Sequence, residues 1–292
     1  MIALIESMRP RQWTKNLFVF AGIIFAQEAD DPALVLKAVA AFALFCLLSG
    51  AVYLLNDLVD LEQDRRHPLK SKRPLASGRL HPATAVVALV VVAAGSLVAS
   101  FHLTPLFGFI ALGYFALQVL YSLVLKHQLI MDVFSVAIGF LLRAVAGAAA
   151  IDAVISPWLV ICTVLLSLFL ALGKRRQELV SLEGDAGLHR GTLRDYTPYL
   201  LDQMISVATA STVVSYCLYT MWPETIEKFG THNLVYTTPF VLFGVFRYLY
   251  LIHQKGQGDS PDRVLVSDIP LLVSILLWMA AVAVILYGHT IS

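Results

Sequence analysis

Four oxygen-bearing side chains crowd one short stretch of the chain: Asn56, Asp57, Asp60 and Asp64, within Tyr53-Leu-Leu-Asn56-Asp57-Leu-Val-Asp60-Leu-Glu-Gln-Asp64. On a helix, Asn56, Asp60 and Asp64 follow an i, i+4, i+8 spacing with Asp57 beside them, which predicts one shared face. Like charges so spaced repel, and the arrangement calls for a cation. Hard oxygen donors without His or Cys suit Mg2+ rather than zinc, and Mg2+ keeps most of its shell for water and substrate phosphate. The plainer reading is a solvated helix end balanced by Arg65 and Arg66. Against it stands the apolar run just before Asn56, because ionisable groups that close to a membrane segment are functional by default.

Cations follow the acids. Lys70, Lys72 and Arg73, between a rigid Pro74 and a flexible Gly78, could wrap a phosphate beside the acidic helix. A second basic run reads Leu172-Gly-Lys174-Arg175-Arg176-Gln-Glu178, and direct phosphate contacts compete there with ordinary membrane anchoring. Arg143 lies inside an apolar run, where an unpaired Arg costs about 2.5–3.5 kcal/mol on insertion scales. Its partner is either an anion, for which Gly139 and Gly147 at i−4 and i+4 would clear space, or Asp132 in a buried ion pair. The histidines form no metal-binding spacing, and no nucleophile motif is present.

These residues must be positioned by membrane helices. The 292 residues are 58% hydrophobic and 14% charged, with a mean hydropathy of +0.76, whereas a soluble domain carries roughly a quarter charged residues. A net charge of +1 gives no electrostatic footprint for a nucleic-acid partner. Cys46, Cys162 and Cys217 sit singly in apolar stretches and read as packing residues, and no signal-peptide pattern opens the chain. Apolar runs at Lys15–Gln27, Ala33–Leu55, Pro82–Phe101, Pro105–Leu125, Ile130–Ile151, Pro157–Leu172, Tyr199–Met221, Asn233–Leu251 and Ser267–Gly288 predict about nine transmembrane helices, or eight if the shortest runs do not span. The fold class is therefore an all-α, polytopic membrane helical bundle forming a single domain over 1–292.

Seventeen of the 21 basic residues fall on one side of that layout, which predicts a cytoplasmic N-terminus in the cytoplasmic (inner) membrane. The two long connections, Asp57–His81 and Gly173–Pro198, lie on that same side. Long polar loops in a compact bundle are functional or disordered, and these two are dense in mixed charge.

With these residues in place, the chain resembles the UbiA superfamily of intramembrane prenyltransferases. Asn56, Asp57, Asp60 and Asp64 match the fixed positions of that family's NDxxDxxxD motif, SKRPLASG resembles its following loop, and Tyr121-Ser-Leu-Val-Leu-Lys126 resembles its YSxxLK element. The resemblance covers essentially the whole chain. It implies a bundle around a central cavity, capped by cytoplasmic loops and open laterally to lipid. One departure bears on substrate: the family's second acidic motif, DxxxD, is absent, and Lys174, Arg175 and Arg176 stand at its place, followed by Glu183, Asp185, Arg190, Arg194 and Asp195 without that spacing. That substitution resembles the decaprenyl-phosphate phosphoribosyltransferase branch, as do Met8-Arg-Pro-Arg-Gln-Trp-Thr-Lys15-Asn and the stretch from Asp132 through Arg143 to Gly147.

The expected activity is transfer of a phosphoribosyl group from 5-phosphoribosyl 1-diphosphate to a polyprenyl phosphate lipid. Asp57 and Asp60 would be catalytic, with Mg2+ held among Asn56, Asp57, Asp60 and Asp64. Lys15, Tyr53, Lys70, Lys72, Arg73, Lys174, Arg175 and Arg176 are the candidates for the donor's phosphates, and Lys126 and Arg143 for the lipid phosphate. Two alternatives are a prenyltransferase acting on an aromatic acceptor, which the missing DxxxD opposes, and a transporter of a phosphorylated solute. A transporter would place its site near the bilayer midplane on interrupted helices, not at one helix end. Nothing in the residues fixes an oligomeric state.

Overall fold

The computed structural model describes residues 2–28, 30–181, 195–256, 264–265 and 267–287. The chain forms two compact units, Met1–Val160 and Ile161–Ser292. The first unit opens with α1 (Ile2–Ser7), a 3-10 segment (Pro10–Phe20) and α2 (Ala21–Ala26). It continues through α3 (Pro32–Val59), α4 (Leu61–Arg66), α5 (Pro82–Leu103), α6 (Pro105–Leu123) and α7 (Met131–Ala150). The boundary between units falls near the start of α8 (Pro157–Ser181). The second unit adds α9 (Pro198–Met221), α10 (Pro223–Phe229), α11 (Thr238–Lys255) and α12 (Ile269–Tyr287).

Among the described residues there is no strand, as expected where the hydrocarbon phase obliges each segment to satisfy its own backbone. Among the described residues, eight helices are long and apolar enough to cross a membrane, and the protein is a multi-pass membrane helical bundle. They coincide with eight of the nine apolar runs. The starts follow the local chemistry: Pro32, Pro105 and Pro198 occupy the first turn, where a missing N–H leaves nothing unsatisfied. The side chains of Asp31, Thr104 and Thr197 accept from the backbone N–H groups beyond them. Gly288, the predicted end of the last run, lies outside the described residues.

Two predicted elements differ. The run Lys15–Gln27 is not one α-helix but the 3-10 segment followed by the single-turn α2. It is held by close backbone approach to α7. A Cβ on Gly147 would come 1.7 Å from the Val19 carbonyl oxygen, and one on Gly22 would come 2.3 Å from the Ala148 nitrogen. The other is α8, predicted to end at Leu172, which continues to Ser181. Gly173 does not break it, because the missing side chain is where Ile252 of α11 packs. Lys174, Arg175 and Arg176 are thus helical residues, not loop residues.

The first unit is packed around Phe45, Phe107 and Tyr114, with Val19, Leu48 and the alanines of α7 closing in. Small residues on α7 permit that approach. A second cluster of Met8, Leu54, Leu75, Leu80 and Ala85 sits at the C-terminal end of α3. It anchors both the N-terminal segment and the loop after α4, the two pieces that deliver cations to the acidic residues.

Candidate functional site

The acidic stretch lies where α3 gives way to α4. The chain stays wound through the junction: Asp60 N–H donates to Asn56 at 3.0 Å and Asp64 N–H to Asp60 at 2.8 Å, with Asp60 itself relaxed to φ −93°, ψ 8°. The four side chains do not share one face, however. Asn56 and Asp60, one turn apart, face the end of α6, where Ser122 donates to Asn56 and Lys126 pairs with Asp60 at 2.5 Å. Asp57 and Asp64, seven residues and so nearly two turns apart, align with each other and share Arg73, at 3.3 and 2.5 Å. Arg9 closes on Asp57 as well and lies over the Tyr53 ring at 4.7 Å. Lys70 stands 3.9 Å from Asp64. Ser122 belongs to the last turn of α6 and Lys126 to the short 3-10 turn Leu125–His127 that follows it, and between them they meet Asn56 and Asp60.

Local folding explains how the cations arrive. Leu75, 2% exposed, plugs the loop into the cluster beneath α3. Ser77 N–H closes a turn on the Arg73 carbonyl at 2.9 Å, and Gly78 takes φ +79°, a conformation glycine adopts without Cβ strain. Arg79 grips Glu6 with two 2.9 Å hydrogen bonds, tying the loop to α1 and holding the Glu6 carboxyl below the usual carboxylate range. Arg9 follows α1 in a left-handed conformation, φ 52°, ψ 64°. Lys15 is half-buried on the 3-10 segment. Lys72 is exposed and makes no ion pair among the described residues.

The residues fit a hard divalent cation in kind. Asp57 and Asp64 are 2% and 1% exposed, and the buried Oδ1 of Asp64 accepts no hydrogen bond, a lone pair left for a ligand. Among the described residues, no three acidic, His or Cys side chains converge around a common point; each carboxylate instead faces a cation.

Arg143, 7% exposed, is held by oxygens from three elements. Its Nε donates to Asn16 at 2.8 Å, Nη1 to the Gly139 carbonyl at 2.7 Å and Nη2 to the Tyr114 hydroxyl at 2.8 Å. The guanidinium also lies against the rings of Tyr114 and Phe140. No carboxylate pairs with it among the described residues. The space above Gly147 is filled by Val19, and a Cβ on Gly139 would meet Gln118 and Arg143 itself, so the two glycines open no path for an anion.

Residues 16–269 match the model of the UbiA prenyltransferase family. The chain belongs to that family. The decaprenyl-phosphate phosphoribosyltransferase of Mycolicibacterium smegmatis is 33% identical over 295 residues, spanning 97% of this chain and 92% of that protein. The protein of the same name from Mycobacterium tuberculosis (strain H37Rv) is 32% identical over 290 residues, 98% of this chain and 95% of its own. A UbiA homolog from Archaeoglobus fulgidus, solved bound to GPP and Mg2+, is similar in fold with a TM-score of 0.74 at 19% identity, covering 97% of this chain and 99% of that one.

In the second unit, this UbiA-family chain carries its basic run on the last turns of α8. Lys174 stands 3.8 Å from Glu178, Arg175 pairs with the same Glu178, and Arg176 donates to Asp202 of α9 at 2.5 Å. His253 of α11 approaches Asp202 at 3.9 Å. Glu183, Asp185, Arg190 and Arg194 lie outside the described residues. Sequence reasoning did not select Arg9, Asn16, Tyr114, Ser122 or Asp202 for the site. Three of them carried a usable signal: Ser122 inside the YSxxLK element, and Arg9 and Asn16 inside the stretch Met8-Arg-Pro-Arg-Gln-Trp-Thr-Lys15-Asn.

Proposed function

We propose that the protein transfers the 5-phosphoribosyl group of 5-phosphoribosyl 1-diphosphate to a polyprenyl phosphate, releasing diphosphate, with the acidic end of α3 on the cytoplasmic side. The observation that carries this reading is near-full-length similarity to decaprenyl-phosphate phosphoribosyltransferases, joined to a carboxylate cluster already faced by Arg9, Arg73, Lys70 and Lys126. Asn56, Asp57, Asp60 and Asp64 would hold Mg2+. When bound, the ion would supply neutralising charge to the departing diphosphate.

The remaining work falls to this chain's own side chains. Asp57 and Asp64 hold the half-buried Arg9 and Arg73 in place, so both guanidiniums stand ready for the donor's phosphates, as bidentate partners that lysine would not match. Tyr53 supports Arg9 from below. Lys70, Lys72 and Lys15 extend the basic surface, and Lys174, Arg175 and Arg176 keep the donor-phosphate role as a proposal to be tested by substitution. Lys126, held on Asp60, is the cation for the lipid phosphate, fixing its oxygen in line with the ribose carbon. That oxygen is already anionic at neutral pH, so attack needs no general base.

Purified protein with polyprenyl phosphate, labelled phosphoribosyl diphosphate and Mg2+ should yield the labelled lipid and diphosphate. Product from a prenyl diphosphate and an aromatic acceptor, with none from this pair, would replace the reading with aromatic prenyl transfer. For orientation, a cysteine at Ser71 should label from the cytoplasmic face and one at His232 from the opposite face. His232 serves because it is exposed, whereas neighbouring Thr231 is buried.

A further inference from the structure

The Pro10–Phe20 segment is eleven residues of 3-10 helix, although such runs rarely exceed three or four residues because their hydrogen bonds are poorly directed. Contacts outside the segment must hold it. Midway along, the buried Asn16 accepts from Arg143 and donates to Ser49 of α3 at 3.1 Å. At its head, Arg9 reaches Asp57 of the same helix. Ser49 and Asp57 are eight residues apart, about 12 Å along an α-helix. The seven residues from Arg9 to Asn16 cover about 14 Å as a 3-10 helix but about 10.5 Å as an α-helix. Either length lies within about 2 Å of that separation, so the two anchors fix where the segment lies along α3 and not its winding.

Arg143 is the piece that packing alone does not require. An apolar side chain of similar volume would fill the same space without burying a cation. Only a planar guanidinium donates at once to α7 at Gly139, to α6 at Tyr114 and to the 3-10 segment at Asn16.

We propose that Arg143 is a positioning residue that fixes the register of the Pro10–Phe20 segment against α3, α6 and α7, and thereby presents Arg9 to Asp57 and to the donor's phosphate. Its kinetic consequence rests on the donor reading above; its structural consequence does not.

Two measurements on the purified full-length protein test it. The first is hydrogen exchange over residues 10–20, without substrate. R143Q should exchange faster there than wild type, with R143K intermediate. The second is a double-mutant cycle with R9Q. R143Q should raise the donor KM about tenfold and leave the acceptor KM within about twofold, and R9Q/R143Q should be no worse than R9Q alone, because both act through one contact. If R143Q fails to fold, N16A replaces it in both measurements, since it removes the acceptor on the segment while Arg143 keeps Gly139 and Tyr114. Unchanged exchange, or effects that add with R9Q, would overturn the proposal. A raised acceptor KM with an unchanged donor KM would also overturn it, making Arg143 a lipid-phosphate contact. Faster exchange in R143Q, in a wild-type protein that transfers no phosphoribosyl group, would uphold the positioning role and sink the donor reading alone.

Discussion

The ends of α3 and α8 both crowd charge where a membrane helix terminates, and they satisfy it in opposite ways. At the end of α3, Asp57 and Asp60 draw partners from far along the chain, Arg9 from 48 residues away and Lys126 from 66, while Asp64 meets Lys70 and Arg73 of the loop that follows. At α8, Lys174 and Arg175 find Glu178 on their own helix, at i+4 and i+3, and Arg176 reaches Asp202 of α9. Local helical pairs contribute about 0.2–0.5 kcal/mol each and need no tertiary fold. Breaking a buried long-range pair leaves an uncompensated charge, at a cost of about 3–5 kcal/mol. Charge density alone therefore does not mark a site; the distance in sequence to the counter-charge says more.

The sharpest way to break this contrast is at α3. D57N and D60N should each lower kcat for phosphoribosyl transfer at least about a hundredfold while the protein elutes as folded material. Near-wild-type turnover in both would remove the metal-ligand assignment. Next comes the support for the 3-10 segment. G147A drives a Cβ into the Val19 carbonyl and should destabilise by about 1–3 kcal/mol, read as a fall in thermal midpoint; an unchanged midpoint would mean the segment can move away.

At α8 the expected effect is smaller. K174Q should raise the donor KM about tenfold if a charge-assisted phosphate contact is lost, with little change for the lipid. A silent K174Q would leave the α8 cations as membrane anchors and widen the difference between the two ends. The smallest effect belongs to the exposed Glu6–Arg79 pair. Arg79 lowers the Glu6 pKa, so its contribution to stability is full above the unfolded pKa and fades as pH falls through the folded one. E6Q should abolish only that slope, and high salt should mask it.

Hydropathy exposed the spanning helices because lipid forces each to be apolar and self-satisfied along its length. The acidic motif and Lys126 were legible for a related reason: their spacings follow the helical period. What the period could not supply was the partner. On a helix the four fan out over an arc of about 100°, and which of them meets Arg73 depends on a loop fold fixed by Leu75 and Gly78. The neutral partners of Arg143 were hidden for the same reason. A buried cation prompts the search for an anion, whereas three neutral oxygens from different elements satisfy this one. The 3-10 segment left no mark in composition, since the contacts that hold it in place lie outside it, on α3 and at Gly147 of α7.

Arg9 carries one more consequence. Its left-handed backbone, φ 52°, ψ 64°, costs a residue with a Cβ about 1–2 kcal/mol, and glycine would adopt it freely. R9G would relieve the backbone but take one of its two guanidinium partners from the buried Asp57, and the lost pair outweighs the relief. The strain at this position is therefore carried for the sake of the pair, in the folded protein as much as in substrate capture. A variant library selected for thermal endurance should keep arginine at position 9, with glycine depleted in that round before turnover is selected.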